Sequence, residues 1–294
     1  MKLNICVKLN EQSQVYLNYA IASKYLFFCK KMNKLIDITN LTVGYDSKPN
    51  VLQDVNLSIY QDDFLGIIGP NGGGKTTLLR TILGLIKPQS GSITFYDKGE
   101  KTGPLNIGYL PQINQIDKKF PISVSEVILS GLTPGTNIFK RYSHADKQKV
   151  KEVAQRLGIE ELLQRAIGEL SGGQLQRVLL GRAIIDNPKL IILDEPSTYV
   201  DKLFETNFYK LLGDINKDIA IILVSHDVGT IISLVKNIAC VNQGLHYHPG
   251  ADISQEWLLN AYESCPIEIL GHGSLPHRVL LEHDHPEEES HTHN

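Results

Sequence analysis

The chain has 294 residues, 42% apolar and 21% charged, an ordinary globular composition sufficient for one large domain with an appendage. Its formal net charge of −3 leaves no basic footprint and argues against a nucleic-acid partner. No apolar run approaches the ~18 residues a membrane span requires; the best stretch, Val15 to Cys29, is broken by Asn18, Ser23 and Lys24. Cys6, Cys29, Cys240 and Cys265 show no C-x-x-C spacing and read as incidental thiols of a reduced chain in the cytosol.

The first 31 residues precede any convincing element. Met1 and Met32 are the only two methionines, and the first strand pattern, Leu35–Val43, begins just past the second. Residues 1–31 are therefore read as an extension upstream of a start at Met32, with a weakly structured arm as the alternative. They lack the apolar core and cleavage site of a signal peptide. Residues 32–250 read as one domain, and 251–294 as a C-terminal segment.

Further strands are expected at Val51–Ile59, Phe64–Ile68 and Ser92–Tyr96. Between the last two lies Gly69-Pro70-Asn71-Gly72-Gly73-Gly74-Lys75-Thr76-Thr77, which fits G-x-x-x-x-G-K-[ST] without a mismatch. A buried strand leads in and a helix, Thr77–Leu83, leads out. The glycines let the loop turn backbone N–H groups inward on phosphates. Lys75 reaches the β- and γ-phosphates as a point charge. Thr76 offers a hydroxyl to Mg²⁺, and the helix N-terminus adds partial positive charge. The loop predicts a bound nucleotide.

A helical block follows, at about 112–185. Ser123-x-x-Glu126 is a capping box that opens a helix over Val124–Leu132. His144–Leu157 places Val150, Val153, Ala154 and Leu157 on one helical face. Leu170-Ser171-Gly172-Gly173-Gln174 is a second glycine-rich loop and also a capping box, ahead of a helix over Gln174–Ile185. Lys189–Leu193 and Ile219–Val224 are continuous apolar runs, as parallel strands buried on both faces would be. The first of these ends in Asp194 and Glu195. Asp194 stands where it could bind Mg²⁺ through water, and Glu195 where it could polarise a water in line with the γ-phosphate. Strands alternating with helices predict an α/β fold, and the helical insert a subdomain.

Leu170–Gln174, a little upstream of the Asp194-Glu195 strand end, resembles the signature motif of ABC-type ATPases. The resemblance runs from about Leu35 to Gly244, with the motifs in complete order. It implies a P-loop ATPase core with an antiparallel β subdomain and an inserted α-helical subdomain. It also implies that Tyr45 stacks on the adenine of ATP. Gln112, in Gly108-Tyr109-Leu110-Pro111-Gln112, would contact Mg²⁺ and the attacking water. Asp201 would be the D-loop aspartate, and His226 would contact the γ-phosphate. Glu195, Gln112 and His226 would then be catalytic, and Thr76, Gln112 and Asp194 would serve Mg²⁺. Such ATPases work as head-to-tail dimers, so Leu170, Ser171, Gly172, Gly173 and Gln174 would close over the partner's ATP.

One core is present, without the long heptad arms of DNA-repair relatives or the second core of translation-factor relatives. The resemblance therefore implies a transport subunit at the cytoplasmic face of the membrane, with integral-membrane permease subunits docking near Gln112–Leu132. A non-transport cytosolic ATPase is the alternative. Gly108–Gln112, Phe120–Val124, Ser130–Leu132 and the Cys265-Pro266-Ile267-Glu268 region resemble importers of zinc, manganese and iron, which draw on an extracytoplasmic metal-binding protein. Iron-chelate importers share part of this pattern. The tail holds six of the ten histidines, His272, His277, His283, His285, His291 and His293. The H-x-H pairs His283/His285 and His291/His293 suit a borderline-soft ion such as Zn²⁺, and a solvated acidic tail is the other reading of the same residues.

Overall fold

The computed structural model describes residues 33–45, 48–112, 120–132, 142–196, 202–225, 232, 234–250, 268–271 and 276–279. Its centre is built from short strands whose side chains are buried throughout: β3 (Phe64–Ile68), β7 (Leu190–Asp194) and β8 (Ala220–Val224). Such strands need cover on both faces, which a parallel sheet flanked by helices provides. With β6 (Ile107–Leu110), β9 (Asn237–Asn242) and β10 (Gly244–Pro249) they form a six-stranded sheet in the order β10-β9-β3-β8-β7-β6. All neighbours are parallel except β10, which returns antiparallel to β9.

A second sheet, antiparallel throughout, contains β1 (Lys34–Tyr45), β2 (Lys48–Tyr60), β4 (Ser90–Asp97) and β5 (Glu100–Thr102) in the order β2-β1-β4-β5. Along β1 the fully buried residues change parity, from Ile36 and Ile38 to Leu41 and Val43. A register shift lies between Ile38 and Leu41, and Asn40 there has a positive φ of 47°. One extra residue at this bulge keeps the apolar side chains on the core face after the switch.

Among the described residues five α-helices pack with the sheets: α1 (Lys75–Ile82), α2 (Val124–Leu129), α3 (His144–Leu157), α4 (Gly172–Ile184) and α5 (Lys202–Ile215). Strand alternation divides the interior in two. Leu190 and Ile192 of β7 join the core shared with α1 and the antiparallel sheet. Ile191 and Leu193 face the helical side, with residues of α2 to α5. A short hairpin, β11 (Glu268–Gly271) and β12 (Pro276–Val279), lies in the C-terminal segment. Among the described residues no helix is long and apolar enough to cross a membrane.

Several boundaries depart from the sequence expectation. Ser171 is the N-cap of α4, so that helix starts at Gly172 instead of Gln174. The helix expected over Val124–Leu132 stops at Leu129, and Ser130 Oγ donates back to the Val127 carbonyl. Beyond it Gly131 passes so close to the Arg182 carbonyl that a Cβ would lie 1.9 Å away, a contact only glycine permits. Strands β6, β9 and β10 and helix α5 were not anticipated as elements. β6 offers only four residues, and its pattern is hidden within the glutamine-loop motif.

Candidate active site

The first glycine loop joins the C-terminal end of β3 to α1, the position at which parallel α/β sheets bind ligands. Its path is dictated by contact with β9. Gly69 has φ 146°, and a Cβ there would sit 2.1 Å from the Val241 carbonyl oxygen. The Gln243 N–H donates to the Gly73 carbonyl at 3.0 Å, tying the loop to the β9–β10 turn. Gly74, at φ 106°, is the N-cap of α1 and makes no side-chain cap. Helices α2, α3 and α4 instead begin with serine capping boxes, Ser123/Glu126, Ser143/Asp146 and Ser171/Gln174, each contributing about 1 kcal/mol. At α1 no N-cap side chain competes with an anion for the helix N-terminus.

Lys75 is buried, and its ammonium donates to the carbonyls of Gly69 at 2.8 Å and Pro70 at 3.0 Å. Thr76 is exposed and Thr77 buried. Thr77 Oγ1 lies 3.3 Å from the hydroxyl of Tyr45, which ends β1 with 38% of its surface exposed. The cavity here has a volume of about 430 Å³. It is lined by Tyr45 and Val51, by Asn71, Gly72 and Gly74 to Thr77 of the loop, and by Gln112 and Glu195. A larger cavity, about 770 Å³, lies beside Asp37, Asp63, Asn237 and Tyr247 but contains none of the motif residues. The chemistry selects the smaller one.

The carboxylates at the end of β7 differ in setting. Asp194 is buried, and its pKa is raised by burial and then by the neighbouring Glu195 charge. Tyr109, Lys75 and Arg80 oppose that shift. The Tyr109 hydroxyl donates to Asp194 Oδ2 at 3.3 Å, and burial beside this carboxylate pushes the phenol up to about 12. Glu195 is half-buried, with a φ of 48° that costs a non-glycine residue about 1 kcal/mol. Its N–H donates to the Val224 carbonyl at 3.0 Å, and Gln112 Nε2 donates to Glu195 Oε2 at 2.9 Å. Strain at this turn directs the second carboxylate away from the strand and toward the cavity.

The second glycine loop is built differently. Ser171 Oγ accepts from the Gln174 N–H at 3.2 Å, and Gln174 Oε1 accepts from the Ser171 N–H at 3.0 Å. Gly173 is buried where a Cβ would lie 2.5 Å from the Phe204 ring, and Arg177 stacks over that ring at 5.2 Å. None of Leu170 to Gln174 lines the nucleotide cavity. The structure therefore brings Tyr45, Asn71, Gly72, Gly74, Lys75, Thr76, Thr77, Gln112 and Glu195 together and leaves the second loop apart. Asp201, His226 and the tail histidines His283, His285, His291 and His293 lie outside the described residues. Among the described residues no group of three or more His, Cys, Asp or Glu side chains could hold a metal ion. Tyr109 and Val51 were missed from sequence. Tyr109 could have been found from its position three residues before Gln112, had β6 been recognised.

Residues 52–198 match the ABC transporter family. The chain is 37% identical over 234 residues to the zinc uptake system ATP-binding protein ZurA of Listeria innocua, covering 77% of this chain and 90% of that protein. It is 40% identical over 196 residues to the manganese transport system ATP-binding protein MntB of Bacillus subtilis, covering 66% and 78% respectively. Among solved structures, it resembles an inward-facing metal-chelate type ABC transporter with a TM-score of 0.73 at 26% identity, covering 85% of this chain and 98% of that one. A nucleotide-free ATP-binding cassette from an ABC transporter, with a TM-score of 0.66 at 24% identity over 79% and 96% of the two chains, supports the fold alone.

Proposed function

The chain belongs to the ABC transporter family as an ATP-binding, ATP-hydrolysing subunit, and from that membership we propose that it energises import of a divalent metal ion, zinc or manganese. The observation that carries the reading is the similarity to ZurA and MntB, at 37% and 40% identity, in a chain whose cavity gathers the phosphate loop, Gln112 and Glu195.

The phosphate loop and Lys75 bind the phosphates of ATP, and Tyr45 stacks on adenine. The residues assigned to the metal would offer it oxygens alone: the Thr76 hydroxyl, the Asp194 carboxylate and the amide oxygen of Gln112, whose nitrogen donates to Glu195. That set suits a hard cation, Mg²⁺. When bound, the ion would be held by these oxygens and would supply charge neutralisation for phosphoryl transfer. Glu195 takes a proton from the attacking water, held in place by Gln112, and His226 contacts the γ-phosphate. Ser171 and Gly173 serve the ATP of a second copy, so that two copies close around two nucleotides. The segment at about 112–132 docks the permease at the cytoplasmic face, and an extracytoplasmic protein delivers the metal. The tail histidines His283, His285, His291 and His293 bind Zn²⁺.

Affinity purification of the chain from its native membranes, followed by uptake of radioactive zinc and manganese into cells lacking it, tests the reading. An integral-membrane partner and loss of uptake of one ion are expected. A partner that is wholly soluble would overturn the transport role. Loss of ferric-chelate uptake alone would move the cargo to the chelate class.

A further inference from the structure

Two adjacent carboxylates end β7, and one neighbouring segment supplies a separate donor to each. Tyr109 on β6 donates to Asp194, and Gln112, just past the end of β6, donates to Glu195. The sheet explains why Tyr109 meets Asp194. β6 lies at the edge beside β7, parallel to it, with Tyr109 opposite Ile192. Residues opposite one another across a sheet share a face, as do residues two apart along a strand. Tyr109, Ile192 and Asp194 therefore lie on one face, the side packed against α1 and the antiparallel sheet. Two strand residues span about 6.6 Å, close to the reach of a tyrosine from Cα to hydroxyl. Phenylalanine would cover the same apolar surface and offer no donor.

Asp194 has need of that donor. It is only 5% exposed, beside another carboxylate, and a carboxylate so placed must be oriented by hydrogen bonds. Among the described residues, Tyr109 is the one side chain that hydrogen-bonds to it. Because the phenol engages Oδ2, Oδ1 remains as the oxygen for a further ligand.

We propose that Tyr109 is a positioning residue for the ATP–Mg²⁺ centre: its hydroxyl holds Oδ2 of Asp194 and presets the carboxylate so that Oδ1 meets the hydrated ion. The inference rests on the reading of Asp194 as the acid that serves Mg²⁺. Outer partners of metal-binding side chains commonly tune affinity in this way.

The test compares the full-length wild type, Tyr109→Phe and Asp194→Asn. Mn²⁺ binding in the presence of a non-hydrolysable ATP analogue is followed by electron paramagnetic resonance. Metal-free nucleotide affinity is measured with fluorescent ATP in EDTA. ATPase rate is titrated with Mg²⁺. Tyr109→Phe is expected to keep metal-free nucleotide affinity, to weaken Mn²⁺ binding about 3- to 10-fold, and to raise the Mg²⁺ midpoint by a similar factor. Wild-type Mn²⁺ affinity and Mg²⁺ midpoint in this variant, even with a slower rate, would assign Tyr109 to packing and overturn the inference. If Asp194→Asn also binds Mn²⁺ as tightly as wild type, the reading of Asp194 itself fails and the inference with it.

Discussion

Asp194 and Glu195 are neighbours in sequence with unlike environments. Asp194 continues the face of Leu190 and Ile192 and is buried, whereas Glu195 turns out through a left-handed φ of 48°. Burial and the Glu195 charge raise the Asp194 pKa in the folded chain above its unfolded value. Between those two values the folded chain holds a proton that the unfolded chain has released. Stability therefore falls as pH rises through that window, and the cost is fully present above the folded pKa. Asp194→Asn removes the charge and keeps the shape. In metal-free buffer at pH 7 it is expected to raise the Tm by about 2–4 °C while abolishing most ATPase activity. Scanning calorimetry checks this, and the two melting curves should converge as pH is lowered through the folded pKa. An Asp194→Asn protein that melts below wild type at pH 7 would contradict the assignment of a destabilising buried charge.

At the scale of elements, the phosphate loop depends on where β3 ends against β9. The motif was legible from glycine spacing, but the reason Gly69 must be glycine was not. Its Cβ would meet the Val241 carbonyl, more than 170 residues away, at 2.1 Å. Gly72 also has positive φ, at 78°, yet faces open space. The two positions should thus differ on substitution. Gly69→Ala is expected to destabilise the chain by about 2–4 kcal/mol, and Gly72→Ala by about 1 kcal/mol, in urea unfolding. Equal losses would mean that the contact with β9 is relieved at little cost. Helices α2 and α4 were readable from their serine capping boxes, and α3 from the helical spacing of Val150, Val153, Ala154 and Leu157, all local signals. α5 and the short β6 carry no comparable marker, and β9 and β10 follow one another through a turn that sequence pattern alone did not resolve.

For the whole molecule, the informative fact is that the two glycine loops do not meet. The first lines the nucleotide cavity with Gln112 and Glu195, and the second caps α4 outside it. On the proposed function each loop is a half-site, and a second copy would complete both. Glu195→Gln removes the proposed proton acceptor and leaves the phosphate loop intact. It is expected to slow ATP hydrolysis by at least about 100-fold and to accumulate an ATP-dependent dimer by light scattering. Turnover at the wild-type rate, or a monomer at saturating ATP, would count against the assigned roles. From sequence alone came the phosphate loop, the paired carboxylates, the signature and the α/β class, because each is written in contiguous residues whose spacing sets local backbone and chemistry. Tertiary structure alone decided which residues from different strands converge. The hold of Tyr109 on Asp194, the link from Gln112 to Glu195 and the fit of Gly69 under Val241 all depend on strand order and register, and a one-residue slip in a sheet would turn those side chains to the opposite face.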